Sequence, residues 1–126
     1  MENEMKESAL KTKSFRFAIR IVNLYKYLCD TKKEFVLSKQ VLRSGTSVGA
    51  MVHETEHSES KADFVHKMAI AQKEINETLY WLGLMQETGY ISKQEFESIN
   101  ADAVEIIKLI TSSIKTAKSK LLTTNH

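Results

Sequence analysis

Apolar positions recur at helical spacing through most of this chain. From about Lys11 to Asp30 they form two adjacent stripes. Phe15, Ala18, Val22, Tyr25 and Cys29 make one stripe; Phe17, Ile21, Leu24 and Leu28 make the other. Together they predict a helix with a wide apolar face, packed on more than one neighbour and holding both Phe15 and Phe17 in the core. The polar start, residues 1–10, predicts a loose tail or a fraying helix end. Thr31–Leu37 breaks the pattern and reads as a connection with Lys32, Lys33 and Glu34 exposed.

The second helix is predicted from Ser38 to about Glu56. Ser38 is its expected N-cap, and Leu37 and Leu42 its staple. Its centre, LRSGTSVGAMVHE (Leu42–Glu54), is rich in small residues. Gly45 and Gly49 are four apart and share a face. Each costs about 1 kcal/mol relative to Ala in a helix interior, so close approach of another helix is expected there. Ser60 with Asp63 resembles a capping box and opens a third helix that ends at Gly89. Phe64, Ala71, Thr78 and Met85 recur at seven along it, as do Met68, Ile75 and Leu82, a coiled-coil-like seam. Ser92 with Glu95, stapled by Ile91 and Phe96, opens the fourth helix. That helix carries Phe96, Ile99, Ala103, Ile106, Ile110 and Ala117, and fades into a loose end over residues 122–126. Four helices with short connections predict an all-α, antiparallel up-down-up-down four-helix bundle, one domain over residues 1–126. Trp81 and Leu84 lie off the third helix's main seam. Self-association and a wider monomer core both account for the surplus apolar surface.

Composition narrows the picture. The 126 residues contain no proline and four glycines, which disfavours a sheet protein rich in turns. No apolar run reaches the roughly 20 residues of a membrane span, so no membrane partner is expected. The charged start lacks the apolar core of a signal peptide, and the one cysteine, Cys29, has no internal partner. A reducing, cytoplasmic setting is the default, with Cys29 acting as a small apolar residue. The net charge is +2, but its distribution is uneven. Residues 11–43 carry nine Lys/Arg against two acids, residues 44–105 four Lys against eleven acids, and residues 106–126 four Lys and no acid. In an antiparallel bundle the beginning of the first helix is expected beside the end of the fourth. That would gather Lys11, Lys13, Arg16, Arg20, Lys115, Lys118 and Lys120 at one pole, a candidate surface for RNA or DNA phosphates. A solvated basic surface is the plainer reading of the same residues.

Motifs for catalysis do not add up to a site. His53–His57 fits H-E-x-x-H, but Ser60 and Asp63 stand where the extended zinc-protease form needs Gly and His. Glu54-x-x-His57 and Asp63-x-x-His66 suggest a di-metal carboxylate bundle. The first helix, however, has no acid between Phe15 and Cys29 to complete one. Glu74 and Glu77, beside Lys73, read as a salt-bridge face. There is no Gly-rich phosphate loop. No metal, no cofactor and no enzymatic activity are expected.

The middle of the chain resembles a known family: small four-helix bundles first noticed as products of intervening sequences in bacterial large-subunit ribosomal RNA genes. In the second helix the resemblance rests on Leu42, Arg43, Ser44, Ser47, Val48, Val52 and Glu54, with Met51 where the pattern has Asn. It continues through Ala62, Asp63, Phe64, Lys67, Met68, Ile70, Ala71, Lys73, Glu74, Glu77, Thr78, Tyr80, Trp81 and Leu82. His53 and His57 are outside the pattern. The resemblance implies a bundle that assembles as a ring-shaped homopentamer, and no established reaction. A related group, the accessory proteins of diversity-generating retroelements, is similar in fold, pentameric, and binds nucleic acid together with a reverse transcriptase. The expected function is thus a non-enzymatic, oligomeric bundle that contacts RNA or DNA through its basic pole. The alternative is an interaction scaffold for an unidentified protein partner, without a nucleic-acid role.

Overall fold

A computed structural model describes residues 2–124. It comprises α1 (Glu2–Asp30), α2 (Leu37–Glu54), a 3₁₀ turn at Thr55–His57, α3 (Lys61–Glu87) and α4 (Lys93–Thr124). Each helix packs on the next and α4 closes back on α1, while the diagonal pairs stay apart. Lys6 reaches Ser112 while Arg20 reaches Asp102, so α1 and α4 run in opposite directions. Ser38 lies by Cys29 and Gly49 by Ser14, which does the same for α1 and α2. The result is the up-down-up-down bundle that the apolar pattern predicts.

The polar start is not a loose tail. α1 begins at Glu2, and Leu10 is fully buried. Its core seam runs Leu10, Ser14, Phe17, Ile21 and Leu28, about two turns further toward the N-terminus than the stripe beginning at Phe17 suggests. Glu2 and Glu4 in the first turn also complement the helix dipole. Phe15 departs from expectation: it is 67 % exposed while Phe17 is 1 % exposed. Two residues along a helix is a rotation of roughly 200°, so one face cannot bury both. Ala18, Val22, Tyr25 and Cys29 form a half-buried flank. At the far end α4 continues to Thr124, and Asn125 and His126 lie outside the described residues.

The two glycines of α2 sit at the α1 contact. A Cβ on Gly45 would lie 2.7 and 2.8 Å from the γ carbons of Ile21, and one on Gly49 would lie 3.2 Å from the Ser14 carbonyl oxygen. The close approach read from their spacing is therefore backbone against backbone at Gly49 and backbone against a buried side chain at Gly45.

The helix ends follow local chemistry. Ser60 Oγ accepts from the Asp63 N–H at 3.0 Å, and Asp63 reaches back to the Glu59 N–H at 3.1 Å. Ser92 and Glu95 form the full reciprocal box, at 3.0 and 3.2 Å. Gly89, at φ +85°, ends α3. Its N–H donates to Gln86 and that of Tyr90 to Met85, the paired bonds of a left-handed glycine stop.

The start of α2 differs from expectation. Ser38 lies inside the helix and does not cap it. Glu34, expected to be exposed, is 8 % exposed. Its carboxylate accepts from the N–H groups of Val36, Leu37 and Ser38 at 2.8–3.0 Å. Lys33, at φ 54°, turns the chain so that the carboxylate can reach them. A longer acid two residues ahead of the cap thus does what a Ser at the cap does elsewhere.

Burial alone pushes the Glu34 carboxyl up, but bonds from Ser38, Leu37 and Val36 outweigh it and hold the group below its ordinary value. Its contribution is therefore complete above the unfolded value, about 4.3, and is lost as pH falls through the lower native value. Glu34→Gln should cost about 1–2 kcal/mol at neutral pH, the cost of a lost cap. It should also flatten the acid limb of stability against pH. Urea midpoints measured at neutral pH and in acid check this; parallel losses in parent and variant would show that Glu34 carries no such role.

Candidate interaction surface

The seven cations proposed for one pole are not gathered there. Because α1 starts at Glu2, Lys11–Arg20 occupy its middle. Arg20 lies beside Ser98 and Asp102, and Lys6 beside Ser112 and Thr116. The fourteen helical steps from Lys6 to Arg20 span roughly 20 Å of helix axis. Lys115, Lys118 and Lys120 therefore lie alongside the first turns of α1, away from Arg20.

Several of the cations are also engaged within the chain. Lys11 pairs with Glu56, Lys13 with Glu105 at 2.5 Å, and Arg20 with Asp102 at 2.8 Å. Arg16, Lys115 and Lys118 are exposed and have no ion pair among the described residues. The basic first helix is thus matched by an acid in the 3₁₀ turn after α2 and by acids in the first half of α4. Much of the charge segregation in the sequence is satisfied by folding.

The motif residues of α2 and α3 form a polar clasp between those helices. Arg43 donates to Glu74 at 3.2 Å and to Glu77 at 2.5 Å. Glu77 also accepts from the Trp81 indole at 3.4 Å. The hydroxyls of Ser44 and Thr78 are hydrogen-bonded at 2.9 Å, both fully buried. The Arg43 guanidinium holds the Glu77 carboxyl below its ordinary value. Glu74 and Glu77 form a salt-bridge face as the sequence suggests, with Arg43 in place of Lys73 as the partner. Met51, where the family pattern has Asn, packs against the apolar core.

His53 and His57 are exposed, their ring centroids 6.4 Å apart. His57 belongs to the 3₁₀ turn, so the pair does not sit on one regular helix. Among the described residues no three His, Cys, Asp or Glu side chains are placed to hold a metal ion, and no helix is long and apolar enough to cross a membrane.

The surface the sequence reading missed is on the outside of α1. Met5, Phe15 and Ile19 are 70, 67 and 48 % exposed. They lie on a second seven-residue repeat, Met5–Thr12–Ile19 with Ser8–Phe15–Val22, distinct from the buried repeat Leu10–Phe17–Leu24 with Ser14–Ile21–Leu28. The numbering offset between the two repeats was the available signal. Beside Phe15 a groove of about 700 Å³ opens between α1 and α2, floored by Ala18, Gly49, Ala50 and Val52. On α3, diagonal to α1, Tyr80 is 62 % exposed and meets Trp81 edge to face at 5.2 Å.

The described residues thus form an all-helical bundle with a polar α2–α3 clasp and an exposed apolar seam on α1. Residues 6–112 match the family described as 23S rRNA-intervening sequence protein, and the chain belongs to that family. It is also similar to a protein of unknown function from the S23 ribosomal protein family of Bacteroides thetaiotaomicron, whose crystal structure is known. The two share 56 % identity over 87 % of this chain and 98 % of the other, with a TM-score of 0.86. No curated protein matches the chain.

Proposed function

We propose that this protein is a non-enzymatic building block that assembles with copies of itself through the outer seam of α1. The observation that carries the reading is the exposure of Phe15 and Ile19 in the middle of a helix. Fully burying a side chain of this size contributes about 1.5–3 kcal/mol, and contiguous exposed apolar surface on a helix marks a contact site. A closed ring requires this seam to meet a different face of the next copy. Tyr80 and Trp81, on the diagonal helix, offer such a face on the opposite side of the bundle. A ring of five rests on the resemblance of the α2 and α3 motifs to pentameric bundles. Light scattering on the full chain should give a mass near five chains; a monomer at high micromolar concentration overturns the reading.

A second reading, contact with RNA or DNA, is favoured by the other end of the bundle. Lys32, Lys33 and Lys39 have no ion pair among the described residues, and Phe35 between them is 53 % exposed. An exposed aromatic flanked by lysines suits a single strand, base on ring and phosphate on ammonium. Retention on single-stranded RNA at low salt should fall when Lys32→Glu and Lys33→Glu are combined. Equal retention by that variant removes this reading and leaves self-assembly as the function.

A further inference from the structure

The end of the bundle where α1 and α3 begin and α4 finishes holds a pocket of about 220 Å³. That is below the roughly 300–1,000 Å³ of sites for drug-sized ligands, so its occupant is small. Lys6 and Lys61 are among its lining residues, and Glu7 is the one carboxylate there. The Lys6 ammonium is held by hydroxyls, Ser112 at 2.9 Å and Thr116 at 3.4 Å, which leave its charge unneutralised. Lys61 has no ion pair among the described residues.

Two further features favour an anion. Ser60 and Lys61, which line the pocket, are the cap and first residue of α3. At this start the Asp63 N–H already donates to Ser60 Oγ, so the helix offers the N–H groups of its first two residues, Lys61 and Ala62, together with the positive end of the dipole. From α4, Ser113 lines the same pocket at 6 % exposure, and its hydroxyl is the buried side-chain oxygen left without a hydrogen-bond partner among the described residues. Buried hydroxyls in folded proteins are paired; a ligand oxygen would satisfy this one. Phe64 and Ala117 form an apolar wall that no charge recognition needs.

We infer that this pocket binds a small tetrahedral oxyanion, either inorganic phosphate or the phosphate of a small monoester, between Lys6, Lys61, Ser113 and the start of α3. The inference is independent of the self-assembly reading.

Calorimetric titration of the full chain with inorganic phosphate tests it, against sodium chloride of equal ionic strength. Phosphate should bind saturably and chloride should not. Lys61→Glu, at an exposed position, and Ser113→Ala should each weaken binding by about tenfold, in line with the loss of a charge-assisted hydrogen bond, with the helical circular dichroism unchanged. Titration with glycerol phosphate separates the sources. Tighter binding than inorganic phosphate supports a monoester lying on Phe64 and Ala117; equal or weaker binding supports the free ion. Absence of saturable phosphate binding overturns the inference, as does binding by both variants as strong as the parent's.

Discussion

Gly45→Leu should destabilise the bundle by about 1–3 kcal/mol, the usual cost of overpacking a close contact. A methyl group alone would already stand 2.7 Å from Ile21, and Ile21 is fully buried and has no room to withdraw. A leucine adds further atoms to that collision. The substitution also recovers helix propensity, worth somewhat under 1 kcal/mol, so the measured loss is net of that gain. For a domain of this size it corresponds to a melting temperature lower by roughly 5–10 °C. Thermal unfolding followed by circular dichroism reads it directly. An unchanged midpoint would mean that α1 and α2 are not packed through this glycine. Gly45→Ala should fall between parent and leucine variant, since its smaller collision opposes a similar propensity gain.

The paired substitution Phe15→Glu with Ile19→Glu should convert the assembly to monomers without unfolding the chain. Both residues are largely exposed in the single bundle, at 67 and 48 %, so charging them costs the monomer little. In an interface each would place an unpaired carboxylate against apolar surface, a cost of several kcal/mol per desolvated charge. A ring repeats that penalty at every contact, which makes the expected loss large. The monomer should keep its helical content and melt cooperatively. If it is also unfolded, assembly and folding are one process, and the milder Phe15→Ser, which removes apolar area without adding charge, separates the two. That variant should shift assembly to higher protein concentration while leaving a folded chain at every concentration.

Most of the bundle was legible because its core repeats are regular. Met68, Ala71, Ile75, Thr78, Leu82 and Met85 are all buried, and the seam they form was visible as two sets spaced by seven. The Ser60 and Ser92 caps and the Gly89 stop were legible for a different reason: each depends on residues within a few positions of one another. What misled was the first helix. It carries two apolar repeats, and periodicity alone does not say which faces the core. Assigning Phe15 and Phe17 to one face merged them, and the polar first turns hid that Leu10 continues the buried seam. Glu34 was illegible for a related reason. A charged residue in a connection reads as exposed, and only the left-handed turn at Lys33 brings its carboxylate under the start of α2.

The charge pattern was visible, but its consequence was not. The basic block and the acidic block pointed to a partner outside the chain, whereas Lys11, Lys13 and Arg20 find Glu56, Glu105 and Asp102 within it. The gathered pole also depended on where α1 begins, and a start at Glu2 moves those residues to the middle of the bundle. The motif residues of α2 and α3 invited a reading as a site. Arg43, Ser44, Glu74, Glu77 and Thr78 instead tie two helices together, so they mark the fold more than its use.

In the proposed assembly α1 has two working faces, one for its own bundle and one for the next copy. Native mass spectrometry of the parent and the Phe15→Glu/Ile19→Glu variant, side by side over a dilution series, tests it most directly. The parent should hold one closed mass, near five times 14.4 kDa, as it is diluted, and the variant should run as a folded single chain at every concentration. A variant that keeps the parent's mass, or a parent that is monomeric throughout, contradicts the account.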